Sequence, residues 1–380
     1  MDNFTFQNPT KIIFGKGGIA QIGKELKSVC RTKVLIIAGK GSIKSNGVYD
    51  QVTQSLKNYG IEWHEYWGIR ANPLLSNVRE AIEIAKEKKV DAILAVGGGS
   101  VIDSAKAVAA GYYMDDVWQA FEEHKPVVKA LPLYTVLTIS ATGSEMNSGA
   151  VITHDEDKKK WPFGGPALYP VTSIIDPQVQ MSLPWNQTVN GAIDALSHIM
   201  EFYFLGTDEE VIIAQNEALM NTVIKVTDLL QKDEKDYAAR ASLSWAATVA
   251  LNGLSGIALK GGDWATHMLE HSLSALHPKI AHGSGLAVMF PAWIKYTAAE
   301  NPAQYERWAK NVWNAKSVDE ALDKMKAKCR QWGAPTTLAE LNLSEADIPA
   351  LVENASMLGK LGKVKQLGPE DFAAIYKLAL

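Results

Sequence analysis

Cysteine is almost missing from this chain: of 380 residues, only Cys30 and Cys329 carry a thiol. A disulfide framework or a thiolate metal cluster therefore has almost nothing to build on, and a reducing compartment is expected. A dominant charge is missing too. The 38 basic residues against 42 acidic ones leave a net charge of -4, too mixed to grip a phosphate backbone, so a nucleic-acid partner is not expected. No stretch reaches the roughly 18 uncharged apolar residues of a membrane span, and MDNFTFQNPTKIIFG lacks the charged start, apolar run and cleavage site of a signal peptide. The expectation is a cytoplasmic protein with no membrane contact. Internal repeats and low-complexity tracts are absent as well. What is present is a globular balance, 47% hydrophobic and 21% charged residues, at a length that favours two domains over one.

Up to about residue 180, short β-branched runs alternate with helical patterns. Lys33 to Ala38, Asp91 to Val96, Tyr134 to Ile139 and Thr172 to Ile175 read as strands, while Tyr49 to Tyr59 and Ser76 to Lys88 carry apolar residues at helical spacing. Strand followed by helix, repeated, predicts a Rossmann-like α/β domain with a parallel sheet, whose ligands lie beyond the carboxyl ends of the strands. Past Leu183-Pro184 the strand signal stops. Glu210 to Leu230, Asp236 to Leu251 and Asp263 to Leu276 read as helices. The prediction is an α/β domain over 1–183 and an all-helical domain over 184–380. Asp155 to Lys160 (DEDKKK) reads as a solvated hairpin or loop.

Two strand ends carry glycine loops. After the first comes Gly39-Lys40-Gly41-Ser42, and after the second Gly97-Gly98-Gly99-Ser100. Consecutive glycines let backbone N–H groups approach a pyrophosphate, and Ser100 with Asp103 has the spacing of an N-cap and its capping-box acid at the next helix. A plain turn that needs positive φ explains a glycine triplet equally well. The pattern is not G-x-G-x-x-G, and the first loop has no acid to grip a ribose 2′-hydroxyl. Lys40, Ser42 and Lys44 stand there instead, suited to a 2′-phosphate. A third run holds Thr138, Thr142, Ser144 and Asn147 around Gly143, side chains that can wrap phosphate or ribose but also simply populate loops.

Five of the eight histidines lie between His198 and His282. Asp194 and His198 are four apart, so both project from one helix face, and His267 with His271 repeats the spacing. His277 and His282 follow. One such pair is more often a surface or core feature than a ligand pair; two pairs and a further turn point to a metal. Carboxylate and imidazole without sulfur suit Fe(II), Zn(II) or Mn(II).

With these motifs in view, the chain resembles the iron-containing, or group III, alcohol dehydrogenases, most closely the NADPH-dependent butanol dehydrogenases and broad-range aldehyde reductases. The resemblance runs from PTKIIFGKG through AVGGGSVID, TISATGSEMN and IIDPQVQMSLP to DWATHMLEH and HGSGLAVMFPAW. It implies a metal held by Asp194, His198, His267 and His282, and places His271 between that metal and the nicotinamide. Gly97 to Ser100, Thr138, Thr142 and Lys160 match cofactor contacts, with Asn72 near the adenosine; Asp103 and Asn147 are carried with them. NAD-preferring members have an aspartate where this chain has Gly39, which implies NADP(H). The segment between His271 and His282 is one residue longer than the family pattern, leaving His277 as a rival fourth ligand. A homodimer is implied as well.

The chemistry implied is hydride transfer between NADP(H) and a primary alcohol or aldehyde, with one divalent metal, Fe(II) or Zn(II), polarising the substrate oxygen and His271 as proton donor. Trp185, Tyr203, Trp264 and Met268 could line an apolar substrate pocket or pack as core. The rivals are a glycerol dehydrogenase-like or dehydroquinate synthase-like reaction, a metal-dependent hydrolase without dinucleotide, and a nucleotide-binding protein without catalysis.

Overall fold

The computed structural model describes Met1 and residues 3–380. Among the described residues there are eight strands: β1 (Lys11–Phe14), β2 (Lys33–Ala38), β3 (Glu62–Tyr66), β4 (Ala92–Gly97), β5 (Leu133–Leu137), β6 (Gly149–His154), β7 (Lys159–Gly164) and β8 (Thr172–Ile175). Six form one sheet in the order β1-β8-β5-β4-β2-β3, and β6 and β7 make a separate two-stranded ladder. Every pair within the six-stranded sheet is parallel. Both faces of such a sheet must be covered, and the alternation of side chains along β2 shows how. Leu35 and Ile37 enter a core shared with the helices Leu75–Lys88 and Gly99–Gly111. Val34, Ile36 and Ala38 enter a second core with the helices Ile22–Ser28 and Val48–Asn58.

The chain forms two compact units, one of residues 7–183 with 235–248, the other of 1–6, 184–234 and 249–380. The sheet belongs to the first. Its late segment lies mostly in helix Tyr237–Ala250, where Trp245 meets Phe14 edge-on at 6.0 Å and Thr248 donates to buried Glu145 at 2.6 Å. Composition around that helix resembles its neighbours, so periodicity finds the helix but not the unit it joins.

Within the second unit every named element is helical. The site depends on three helices: Trp185–Tyr203, Ala265–Leu276 and His282–Thr297. Among the described residues, no helix is long and apolar enough to cross a membrane.

The strand expectations for β2 and β8 match residue for residue, and those for β4 and β5 are displaced by one or two residues. β1 and β3 were not expected, and the hairpin read at 155–160 is the turn of the longer β6–β7 ladder. The run 155–160 splits: residues 155–158 form the turn of the ladder, while Lys160 lies inside β7 with its side chain buried.

Candidate active site

Helix Trp185–Tyr203 follows Pro184 and buries one whole face. Asp194, His198 and Glu201 share that face at spacings of four and three, and all three are buried. Helix Ala265–Leu276 starts on Trp264, whose φ of 65° is left-handed. That start is held by Glu201: its carboxylate accepts from the backbone N–H of Trp264 at 2.6 Å and of His267 at 3.2 Å. An anion at a helix N-terminus is favourable, and here it also fixes where His267 begins. The same carboxylate meets His267 Nδ1 at 2.6 Å.

From Asp194 Oδ1 the Nε2 atoms of His198 and His282 lie 3.6 Å away and that of His267 3.8 Å away. These separations are too long for hydrogen bonds, yet donors about 2.1 Å from one tetrahedral ion sit roughly 3.4 Å apart. Asp194 Oδ1 and His267 Nε2 are both buried with no hydrogen-bond partner. Buried polar atoms left in that state need a missing partner, and a cation among them supplies one. The donor set therefore fits a borderline divalent metal.

Electrostatics agree. Burial would raise the Asp194 carboxyl, but His198, His267 and His282 together hold it well below the usual carboxylate range. Burial pushes His198 down to about 3, even against Asp194, so its ring is neutral and offers a lone pair. His267 goes the other way: burial opposes its charge, but Asp194 and Glu201 raise it to about 9. Without a metal ion, this ring holds a proton.

His271 is buried on the same helix, its ring centroid 5.4 Å from His282 and 6.5 Å from His267. Among the described residues, two groups have ligand atoms close enough for one ion, Asp194 with His267 and His282, and Glu270 with His271 and His282; His198 adjoins the first through Asp194, and His271 belongs to the second. His277 is the C-cap of the helix and joins none of the candidate metal groups among the described residues. Trp264 packs edge-on to His267 at 5.3 Å and tilted to His198 at 6.2 Å, so it borders the donor set, with partly buried Met268 on the same helix. Tyr203 does not: it is fully buried and donates to Glu217 at 2.8 Å. Trp185 is likewise engaged, donating to the Trp332 carbonyl at 2.8 Å.

In the sheet unit, Gly97, Gly98 and Gly99 lie at the carboxyl end of β4. None has positive φ. Crowding is what demands glycine here: a Cβ on Gly97 would sit 2.5 Å from Val101, one on Gly98 3.1 Å from Ile139, and one on Gly99 2.3 Å from Thr142 Oγ1. The first backbone turn of the helix thus touches the Thr138–Thr142 run, and Thr138 N donates to the Gly97 carbonyl at 3.0 Å. The expected capping box is absent. The N-cap of helix Gly99–Gly111 is Gly98, with no side-chain cap. Ser100 is a partly exposed residue of the first turn, where unbonded N–H groups can meet an anion.

Asp103 has a different task from the one expected. It is buried, accepts from Ser144 Oγ at 2.6 Å and Val151 N at 3.0 Å, and lies beside fully buried Lys106. Lys106 Nζ reaches Ser144 Oγ at 2.8 Å, Asn147 O at 2.8 Å, Asn147 Oδ1 at 3.0 Å and the Gly149 carbonyl at 2.7 Å. Asn147 also donates to the Gly143 carbonyl at 2.9 Å. Asp103, Lys106 and Asn147 together brace the threonine loop from inside. Lys160 and Asn72, 88 positions apart in the chain, meet at 3.0 Å, and both are buried.

At the end of β2, Lys40 and Ser42 are exposed and Gly39 partly so. The Lys44 ammonium lies over Trp67, 4.1 Å from the ring centroid, and near Glu65. It is thus partly committed.

Sequence reasoning missed Glu201, Glu270 and Lys106. The first two repeat the helical spacing, three residues past His198 and His267, and that spacing was the available signal. Lys106 stands in SAKAVAAG, a lone cation in a run of small residues.

Residues 9–177 match the family profile described as iron-containing alcohol dehydrogenase, and residues 188–380 match the profile described as Fe-containing alcohol dehydrogenase family, C-terminal. A probable NADH-dependent butanol dehydrogenase 1 of Bacillus subtilis is 40% identical over 390 residues, covering 100% of both chains. The NADPH-dependent aldehyde reductase YqhD of Escherichia coli is 37% identical, again over 100% of both. Among solved structures, an NADH-dependent butanol dehydrogenase A from Thermotoga maritima shares 50% identity with a TM-score of 0.98, covering 100% of this chain and 99% of that one. With both profiles together spanning nearly its whole length, this chain belongs to the iron-containing alcohol dehydrogenase family.

Proposed function

We propose that the protein reduces aldehydes to primary alcohols, and runs the reverse oxidation, using NADP(H) and one divalent metal, Fe(II) or Zn(II). The observation that carries this is the set of four donors from Asp194, His198, His267 and His282, converging in buried surroundings with Asp194 Oδ1 and His267 Nε2 lacking partners. A divalent ion bound there supplies Lewis acidity to the substrate oxygen. Asp194 and the three imidazoles hold that ion through four protein atoms. His271 sits close enough to the donor set to hand a proton to the alkoxide oxygen, so that aldehyde, NADPH and a proton give alcohol and NADP⁺. Trp264 and Met268 offer the apolar surface that would exclude water and suit aliphatic substrates.

The preference for NADP(H) rests on Gly39, which leaves no carboxylate to repel a 2′-phosphate, and on exposed Lys40 and Ser42, with Lys44 adding positive charge nearby. Relatives' names divide between NADH and NADPH, so this chain's own residues carry the choice. Ser100, Gly97 to Gly99, Thr138, Thr142, Asn72 and Lys160 are the remaining dinucleotide residues of this reading, with Asp103 and Asn147 bracing them. A cytoplasmic homodimer is part of it as well.

The test is direct. Loss of NADPH absorbance on adding butanal, abolished by a chelator and restored by Fe(II) or Zn(II), is the expected result. No aldehyde-dependent oxidation with metal-loaded protein would refute the proposal, in favour of a dehydroquinate synthase-like or hydrolytic reaction.

A further inference from the structure

His282 is the weakly held member of the donor set. Its side chain is 23% exposed against 4–6% for Asp194, His198 and His267. It is also the first residue of helix His282–Thr297, where no preceding turn restrains it. His267 is fixed at Nδ1 by Glu201. His282 has an equivalent in Glu270, a fully buried residue of the neighbouring helix whose Oε2 contacts His282 Nδ1.

Space for this carboxylate is made by a specific glycine. A Cβ on Gly285 would lie 2.6 Å from Glu270 Cγ and 2.8 Å from its Oε1, so any other residue there forces the Glu270 side chain to shift from the place where it meets His282. The same turn is seated by Gly283, whose Cβ would fall 2.3 Å from the Asn190 carbonyl, and by Ser284 Oγ donating to Asn190 Oδ1 at 2.8 Å. The HGSG stretch therefore does two things at once. It docks the turn carrying His282 on the Asp194 helix, and it leaves room for an acid behind the ring.

We propose that Glu270 is a positioning residue that fixes the tautomer and orientation of His282, with Gly285 as the space-maker that lets it do so, and that this pair sets how tightly the metal is retained. An acceptor at Nδ1 places the proton there and turns the Nε2 lone pair toward Asp194, while the negative charge makes the ring a better donor. The inference rests on the metal reading above and adds residues outside the four ligands.

The test uses the full-length protein loaded with Co(II), followed by its d–d absorption and by competition with a chelator. Glu270→Ala is expected to weaken Co(II) affinity by about 10- to 100-fold. Gly285→Ala should shift affinity and spectrum in the same direction, although it alters neither a carboxylate nor a ligand, and circular dichroism should show both variants folded. Glu270→Gln keeps shape and an acceptor but not the charge, and should fall between wild type and Ala. Wild-type affinity and spectrum in both Glu270→Ala and Gly285→Ala would overturn the role of Glu270 alone. A Glu270→Gln protein identical to wild type beside a weakened Glu270→Ala would overturn the part assigned to its negative charge. Failure of the wild-type protein to take up Co(II) would overturn the metal reading itself.

Discussion

Replacing Gly39 by aspartate should turn the enzyme from NADPH toward NADH. The site tolerates the change: Gly39 is not among the glycines with positive φ, and a Cβ there would meet only the Ile69 carbonyl, at 3.4 Å. An aspartate should therefore fold in place, at the carboxyl end of β2, where it can accept from a ribose hydroxyl. Two unit charges about 4 Å apart repel by roughly 4 kcal/mol at an effective dielectric of about 20. Lys40 and Ser42 are exposed, so the loop is wet and salt screens part of this; halving it gives about 2 kcal/mol. At about 1.4 kcal/mol per factor of ten, the NADPH-to-NADH ratio of kcat/KM should fall by between roughly 30-fold and 1000-fold. The measurement is that ratio, in both proteins, at fixed ionic strength and saturating aldehyde. A wild-type enzyme that prefers NADH, or a Gly39→Asp ratio unchanged within error, would show that the end of β2 does not read the 2′ position.

Further outcomes follow from the geometry. His267→Ala should lose the metal and nearly all turnover while keeping its helix, since alanine is a good helix former; among His277→Ala and His282→Ala only the second should lose metal by elemental analysis, and the reverse pattern would reassign the fourth ligand. His271→Ala should retain the metal and slow turnover, and metal loss equal to that of His267→Ala would make it a ligand instead. His267 is raised from its ordinary 6.5 to about 9, so below about pH 9 the metal must displace its proton: affinity should climb about tenfold per pH unit toward 9 and flatten above it, and a pH-independent affinity between 7 and 9 would contradict the proton on His267. Gly99→Ala forces a Cβ to 2.3 Å from Thr142 Oγ1 and should cost about 1 to 3 kcal/mol in thermal unfolding along with weaker dinucleotide binding; an unchanged melting temperature would count against that crowding.

Legibility in the sequence followed burial. β2 and β8 are buried along their length and wrote themselves as unbroken β-branched runs. β3, EWHEY, is an edge strand whose residues are mostly half-exposed, so its composition is polar and carries no apolar run. The pairs Asp194/His198 and His267/His271 were readable because helical spacing is local, whereas the choice of His282 for the set came only from the family resemblance. Glu201 and Glu270 obey the same spacing but look like ordinary surface acids until the partner helix is in place. The expected Ser100–Asp103 box failed for a related reason: Asp103 finds Ser144, 41 positions away, and a distant partner that satisfies a buried carboxylate outcompetes a local cap. The glycine triplet was legible as a motif, but its cause was not, because steric contact with Ile139 and Thr142 exists only once β5 lies beside β4.

The pairing of β1 with β8 and the return of helix Tyr237–Ala250 bear on how the protein can be made. As the chain leaves the ribosome, β1 stays without its neighbour until residues 172–175 emerge, and Glu145, whose carboxyl is raised by burial, has no hydroxyl beside it until Thr248 follows. The α/β unit is therefore not a self-sufficient product of the first 183 codons. A gene split at Pro184 would deliver the full sheet without helix Tyr237–Ala250, leaving Phe14 without Trp245 and the buried Glu145 carboxyl without the Thr248 hydroxyl.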